Sequence, residues 1–396
     1  MRDVGTVVRG IRTPIVKEGD DLAKIVVNSV LKAAKSEHFE IEDKDVIAIT
    51  EAVVGISEGN FATLDQIAKD IKRKLNNAEH IGLVFPILSR NRFAVLLSAM
   101  ARSTKKITLM SSFPSDEVGN DILYRDDLIK YNVSLSDIIT EDEYKKNFAH
   151  FKHLFTGVNM YEVYKELVEK EGCEFEMIWS NQASDILKYT NDIICCDIHS
   201  REETKARILN ANPKAHVILM SDILNESVDG SGYSPYGLLG SNRSTEERVK
   251  LFPRTGSALV NRVQQLMRNE TGKTVEVMVY GDGAFRDPVG KIWELADPVV
   301  SPAYTKGLEG SPNEIKLKYF SENQFKDLHG QELQDAMKEA IREKDKELKG
   351  TMATQGTTPR RYTDLLGSLC DLTSGSGDKG TPVVLVQRYF TNYSND

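Results

Sequence analysis

From about residue 81 to residue 215, short apolar runs alternate with helical patterns, and this alternation constrains the chain more than any other feature. HIGLVFPIL, KKITLMSS, EFEMIWS, DIICCDI and AHVILM read as strands, and NRFAVLLSAMARS, YEVYKELVEKEG and REETKARILNAN read as helices. Strands that alternate with helices predict an α/β layer with parallel strands. No glycine-rich phosphate fingerprint follows any of these strands, and the absence of GxxxxGK[ST] argues against P-loop chemistry.

The flanking segments read differently. Residues 1 to 80 suggest strand, loop, helix, strand, loop, helix, with DVIAIT as a buried strand and LDQIAKDIKRKL as an amphipathic helix. EAVVGISEGN, between those two, reads as an apolar loop with two glycines. GIRTPIVKEGDDLAKIV (residues 10–26) carries a Pro-stiffened turn into Gly19-Asp20-Asp21. Asp20 is expected to cap the helix that follows, with Asp21 near its positive end. Residues 221–256 are loop-rich, and long irregular segments inside compact domains are often functional. A helix over SALVNRVQQLMRNETG, a strand over TVEVMVYG, a charged helix over 332–349, a helix over TDLLGSLCDL, a loop and a final strand over VVLVQRYF complete the chain.

A length of 396 residues, with 40% hydrophobic and 28% charged residues, fits an ordinary globular protein of two or three domains. A net charge of −8 argues against a general nucleic-acid surface. No apolar run approaches the roughly 20 residues that span a bilayer, and the N-terminus lacks an apolar signal core, so the expected location is cytoplasmic with no membrane partner. Cys173, Cys195, Cys196 and Cys370 form no CxxC pair and read as buried free thiols. His150 and His153, spaced for one helix face, lack a third metal ligand. Asp197 and His199 would share one face of a strand and Cys196 the other, so a Cys–His nucleophile there is not expected.

Three acidic or glycine-rich turns are placed for chemistry: Val228–Gly232, Tyr280–Ala284 and Ser374–Gly380. An Asp flanked by glycines can approach a metal closely, and glycines let backbone N–H groups turn toward phosphate oxygens. Each is also ordinary turn chemistry.

Taken in order, the segments resemble the coenzyme F-420 gamma-glutamyl ligase family. GIRTPIVKEGDDLAKIV and DKDVIAITEAVVGISEGN resemble its opening, and ESVDGSG its Val-Asp loop. LFPRTGSALVNRVQQLMRNETGKTVEVMVYGDGAFRDPVG and TDLLGSLCDLTSGSGDKGTPVVLVQRY resemble its later helices, strands and turns. The resemblance covers about residues 4–75 and 222–390. It implies an α+β or mixed α/β fold with a ligase-like domain of residues 1–80 and 216–396 and an inserted or remodelled α/β domain at 81–215. It further implies a ligase joining an amino acid, glutamate in the family, to a small-molecule carboxylate through an acyl phosphate. GTP or ATP would be the co-substrate, Mg²⁺ or Mn²⁺ the metal, and a homodimer the assembly. The residues it marks for nucleotide are Ile11, Arg12, Thr13, Pro14, Ile15, Glu51, Gly232, Gly375 and Gly377, and for metal Asp229, Asp282, Gly283 and Ser376; it assigns no catalytic residue.

The sequence departs from the family at several of these positions. Ile56 stands where the family has a Lys, Glu51 where it has a Ser, Gly232 for an Asn, Gly283 for a Thr and Ser376 for an acid or amide. The Arg that follows the family's Asp turn has no aligned counterpart, Arg286 being near but shifted. Arg12, Arg243, Arg248 and Lys379 are alternative cations. Two further readings follow: a non-catalytic nucleotide- or ligand-binding homologue, and a different enzyme with its site in the α/β insert.

Overall fold

The computed structural model describes residues 3–87, 93–116, 119, 121–153, 157–198, 200–281, 285–286, 293–294, 300–348, 350–354, 360–374 and 377–394. The chain forms two compact units, one of Met1–Val54, Thr255–Asp282 and Val299–Asp396, the other of Gly55–Arg254 and Gly283–Pro298.

In chain order the elements begin with β1 (Val7–Ile11), α1 (Leu22–Ser36), β2 (Val46–Thr50) and α2 (Glu51–Ser57). There follow β3 (Phe61–Thr63), α3 (Leu64–Lys74), β4 (His80–Val84), α4 (Phe93–Ala101), β5 (Lys106–Ser111), α5 (Arg125–Lys130), α6 (Glu141–Asn147) and α7 (Met160–Lys170). Next come β6 (Glu174–Trp179), β7 (Asp192–Cys195), α8 (Arg201–Ala211), β8 (His216–Leu219), β9 (Asn242–Arg243) and β10 (Arg248–Lys250). The last part holds α9 (Gly256–Thr271), β11 (Glu276–Tyr280), an antiparallel pair β12 (Phe285–Arg286) and β13 (Trp293–Glu294), then β14 (Ala303–Tyr304), α10 (Leu317–Glu322), α11 (Gly330–Glu343), α12 (Tyr362–Thr373) and β15 (Val383–Gln387).

The expected parallel layer is present in the second unit. Its five-stranded sheet has the order β6-β5-β4-β7-β8, with every pair parallel. Helices on both faces explain the near-continuous apolar runs. Leu83, Leu109 and Ile194 join the core that α3, α4 and α7 cover, and their neighbours Val84, Met110 and Ile193 join a second cluster with Ile186 and Ile208. All four cysteines are free and buried, as expected.

The boundaries expected at residues 80 and 216 fall inside this unit. The apolar face of α3 (Ile67, Ile71) shares one core with Leu96 and Met100 of α4 and with Leu224, Leu239 and Leu251 of the later loops. The α/β layer therefore cannot be separated from residues 55–80 and 216–254 without exposing that core. Asp70 fastens the two flanks. Its fully buried carboxylate accepts from Leu224 N–H at 2.7 Å, from Lys74 at 2.9 Å and from Arg73 at 2.7 Å.

The first unit carries a mixed sheet of order β1-β15-β2-β11-β14. β2 and β11 run parallel, and the other neighbours run antiparallel. Val46 to Ile49 have no exposed surface. Val46 and Ala48 face Leu366 and Cys370 of α12, and on that face Met278 and Val384 join them. Alternate residues point to the other face. There α9 packs on β11 and α1 packs on α9. A small separate cluster of Ile315, Phe320, Met337, Ile341 and Leu348 holds α10 and α11.

Four local expectations change. Asp21, not Asp20, is the N-cap of α1 and accepts from Lys24 N–H, while Asp20 takes Lys17 N–H at 2.7 Å and closes the preceding turn. EAVVGIS is a helix rather than a loop, because the chain turns into α2 directly at the end of β2. The charged helix ends at Glu343, before 349. His150 and His153 lie beyond the end of α6; His150 pairs with Asp127 at 2.7 Å and His153 is buried, so they do not share a helix face. Among the described residues no group of three or more His, Cys, Asp or Glu could hold a metal ion. Among them no helix is long and apolar enough to cross a membrane.

Asp70→Ala is expected to lower unfolding stability by about 1–3 kcal/mol, since it leaves the buried Leu224 N–H without its acceptor, while Arg73 keeps Glu226 and Lys74 keeps Asn225. Urea titration monitored by circular dichroism measures this; a change below about 0.5 kcal/mol would show that the carboxylate does not fasten the unit.

Candidate functional site

The sheet of the first unit places several predicted residues at one end. β1, β2 and β11 point the same way and β15 opposes them, with Ile11, Val383, Ile49 and Val279 in register. The ends of β1, β2 and β11 and the start of β15 therefore share an edge. Thr13 N–H donates to Gly380 O at 3.3 Å, and Thr50 N–H donates to Pro382 O at 2.9 Å. These two bonds tie the Thr13-Pro14 turn and the start of α2 to the Gly380–Pro382 segment that leads into β15.

The individual residues at this edge differ in what they can offer. Ile11 is only 3% exposed, so its side chain belongs to the core and only its backbone is available. Arg12 and Pro14 are exposed, Thr13 is half-buried, and Ile15 is 88% exposed. An isoleucine left so exposed beside a proline is an apolar contact without a partner in the fold. Glu51 is the first residue of α2 and is buried at 4% exposure. Gly377 and the exposed Lys379 belong to the turn before β15. Asp282, Gly283, Gly375 and Ser376 lie outside the described residues.

Behind this edge, Asp21 holds the start of α1. Its carboxylate caps the helix and accepts from Arg262 of α9 at 2.7 Å. Desolvation pushes this carboxyl up, but the hydrogen bonds from Lys24 and Arg262 outweigh it and keep the group below its usual range. The Pro-containing loop is thus anchored at both ends, by β1 and by Asp21.

Asp229 and Gly232 belong to the second unit. Asp229 sits at φ +49° in the Val228–Ser231 turn, where Ser231 N–H donates to Val228 O at 2.9 Å. Its carboxylate bonds Lys69, and its carbonyl accepts from Gln66 Nε2 at 3.1 Å. Both partners come from α3, and the ion pair is more than half exposed on each side. Gly232 is a packing position: its N–H donates to Phe61 O at 2.7 Å, and a Cβ would lie 2.4 Å from Asn60 Oδ1. The buried Asn60 in turn bonds Tyr233 O and N–H at 3.0 Å and Phe252 O at 2.8 Å. This cluster accounts for the glycine without a nucleotide.

Of the four alternative cations, Arg243 pairs with Glu246 at 3.7 Å and Arg248 lies 3.8 Å over the Phe61 ring. Arg12 and Lys379 are the two at the strand-end edge. Lys69 went unnoticed in the sequence, although Gln66, Lys69 and Arg73 form a polar stripe on α3 at helical spacing. The Cys–Asp cluster of the α/β layer offers no nucleophile. Burial pushes the Cys195 thiol up to about 12 and Cys196 well above its ordinary value, so both are protonated at neutral pH.

Gly232→Ala is expected to destabilise the protein by about 1–3 kcal/mol through overpacking against Asn60. Urea titration measures this; a change below about 0.5 kcal/mol would show that the position tolerates a Cβ.

No curated protein sequence matches the chain. The profile of one family, described as F420-0:Gamma-glutamyl ligase, matches residues 10–388, which takes in both compact units. The chain belongs to the F420-0:gamma-glutamyl ligase family, and that membership supports a gamma-glutamyl ligase-type function in general.

Proposed function

We propose that this protein is a nucleotide- and metal-dependent amide ligase that joins an amino acid, glutamate by family resemblance, to a small-molecule carboxylate through an acyl phosphate. The observation that carries this reading is the shared edge of the first unit. There the Arg12–Ile15 loop, the start of α2 and the Gly377–Gly380 turn meet at the ends of three co-directional strands.

Phosphoryl transfer requires charge neutralisation and alignment more than covalent help from the protein. The Arg12 guanidinium and the Lys379 ammonium supply cations for nucleotide phosphates. Turn N–H groups around Gly377 supply directed donors. The exposed Pro14 and Ile15 supply an apolar surface for a base or for the acceptor. Once the carboxylate is phosphorylated, attack by the amine displaces phosphate and forms the amide.

Asp229 and Asp282 are the proposed metal ligands. The donor chemistry fits Mg²⁺ or Mn²⁺, which take one or two carboxylates and leave other positions to water and substrate phosphates. When bound, such an ion neutralises phosphate charge. In the structure Asp229 already has a cation, Lys69. The pair is exposed and therefore weak, of order 0–1 kcal/mol, so exchange of Lys69 for a metal and its phosphates costs little. The same Lys69–Asp229 pair, together with Ile56 in place of a family Lys, favours the second reading, a binding homologue that has lost catalysis. A homodimer remains the proposed assembly.

Calorimetric titration of GTP and ATP, each with and without Mg²⁺ or Mn²⁺, separates these readings. The ligase reading expects metal-dependent binding, loss of at least about tenfold in affinity for Asp282→Ala and Asp229→Ala, and phosphate release that depends on an amino acid and a carboxylate. Binding without any such release would establish the non-catalytic homologue, and no binding of either nucleotide would overturn the ligase reading. Arg12→Ala is expected to weaken nucleotide binding with folding stability unchanged, because the exposed guanidinium makes no ion pair among the described residues.

A further inference from the structure

We propose that the free edge of β1 is a docking groove for an acidic peptide segment that binds in extended form as an added strand. Three observations meet there. First, β1 is the terminal strand of its sheet and pairs only with β15, so one side of five residues has no strand partner among the described residues. Its fourth residue, Gly10, is exposed, which leaves the backbone accessible there. Second, a cavity of about 690 Å³ is lined on the strand side by Arg9–Ile11 and on the other by Ser29–Ser36 of α1, its C-cap Glu37 and Phe39. A groove between a sheet edge and a helix is the geometry in which a peptide strand extends a sheet, its main chain giving affinity and side pockets giving selectivity. Five strand residues offer a track of about 17 Å.

Third, the groove is basic on an acidic protein. Its charged lining is Arg9, Arg12 and Lys32 against the single Glu37, while the chain as a whole carries −8. Arg9 is held in place, with its guanidinium 4.4 Å over the Phe39 ring and one N–H donated to Gln387 Oε1 at 2.5 Å. Lys32 is exposed and makes no ion pair among the described residues. Ser29 and Ser36 add hydroxyls along the same helix face. Cations on both walls of a strand-sized groove select carboxylate side chains on alternate residues of an extended chain. This goes beyond the ligase reading, and Lys32 and Ala33 have no part in that reading.

The test uses the full-length protein and a fluorescein-labelled peptide, EVEVEVEV. The controls are KVKVKVKV and the proline-broken EVEPPEVE, which keeps the four charges but lacks N–H groups toward both sides of the strand. Fluorescence anisotropy should show salt-sensitive binding of EVEVEVEV alone. Lys32→Glu and, separately, Ala33→Glu should each weaken it by about tenfold or more. Hydrogen exchange should slow in residues 7–11 when the peptide is bound. Equal binding of EVEPPEVE without protection of β1 would reduce the groove to a general anion patch and overturn the proposal. Complete displacement by GTP with Mg²⁺ would overturn it too, assigning the cations to the nucleotide. Protection of β1 that grows with protein concentration in the absence of peptide would overturn it in favour of a second copy of the chain. Calorimetric nucleotide binding by Lys32→Glu reports on the ligase reading separately.

Discussion

Everything at the candidate site depends on one insertion: the C-terminal strand β15 fits between β1 and β2. Without it, the first two strands do not touch, and the loop at Thr13 has no carbonyl at Gly380 to bond. Apolar burial drives the insertion, since Val383 to Val386 have no exposed surface, and neither do Val46 to Ile49 beside them. At about 1.5–3 kcal/mol for each fully buried aliphatic side chain, this interface outweighs any polar contact at the sheet's edges. Polar groups then set the register. The Gln387 side chain donates to Asp45 Oδ2 at 2.7 Å and to Glu40 O at 2.9 Å, and it accepts from Arg9. One amide thus joins β1, β2 and β15 at the end opposite the site, and a one-residue slip would leave the buried Asp45 without it.

That insertion also explains why the edge was only partly legible in the sequence. Each strand could be read alone: DVIAIT, TVEVMVYG and VVLVQRYF are apolar runs bounded by turns, and all three are strands. Their adjacency could not, because nothing local says that residue 383 lies beside residues 11 and 49. Family resemblance supplied the candidates, and sheet order explains why Ile11–Ile15, Glu51 and Gly377 meet. The α/β layer was read more completely, since each crossover is itself local and right-handed winding leaves few alternatives.

The misread elements share a physical cause, which is competition between two adjacent solutions. In Gly19-Asp20-Asp21 either acid could cap. Asp21 does so because Asp20 is used one step earlier, on Lys17 N–H. EAVVGIS is as apolar as a buried loop and as periodic as a helix. It turns into a helix directly at the end of β2, and Gly55 lets that helix approach the Leu251 carbonyl, where a Cβ would lie at 3.0 Å. The unit boundary moved for a related reason. The apolar face of α3 was evident, but its partner could have been any apolar surface, and only packing shows that α4 is that partner.

The two candidate surfaces of the first unit divide along β1. Its C-terminal end leads into the Arg12–Ile15 loop and the strand-end edge, and its residues Arg9–Ile11 line the basic groove. One side of β1 is saturated by β15 and the other is open. Open edges carry a cost, since they invite pairing with any extended chain, and proteins commonly blunt them with charge. Here the cations are Arg9 on the strand, Arg12 just after it and Lys32 on the facing helix, against the single Glu37. Blunting would be served equally well by either sign or by a mixture. Cations on both walls repel basic and apolar chains and attract acidic ones. The protection against indiscriminate pairing and the selection of an acidic partner are therefore the same electrostatic fact.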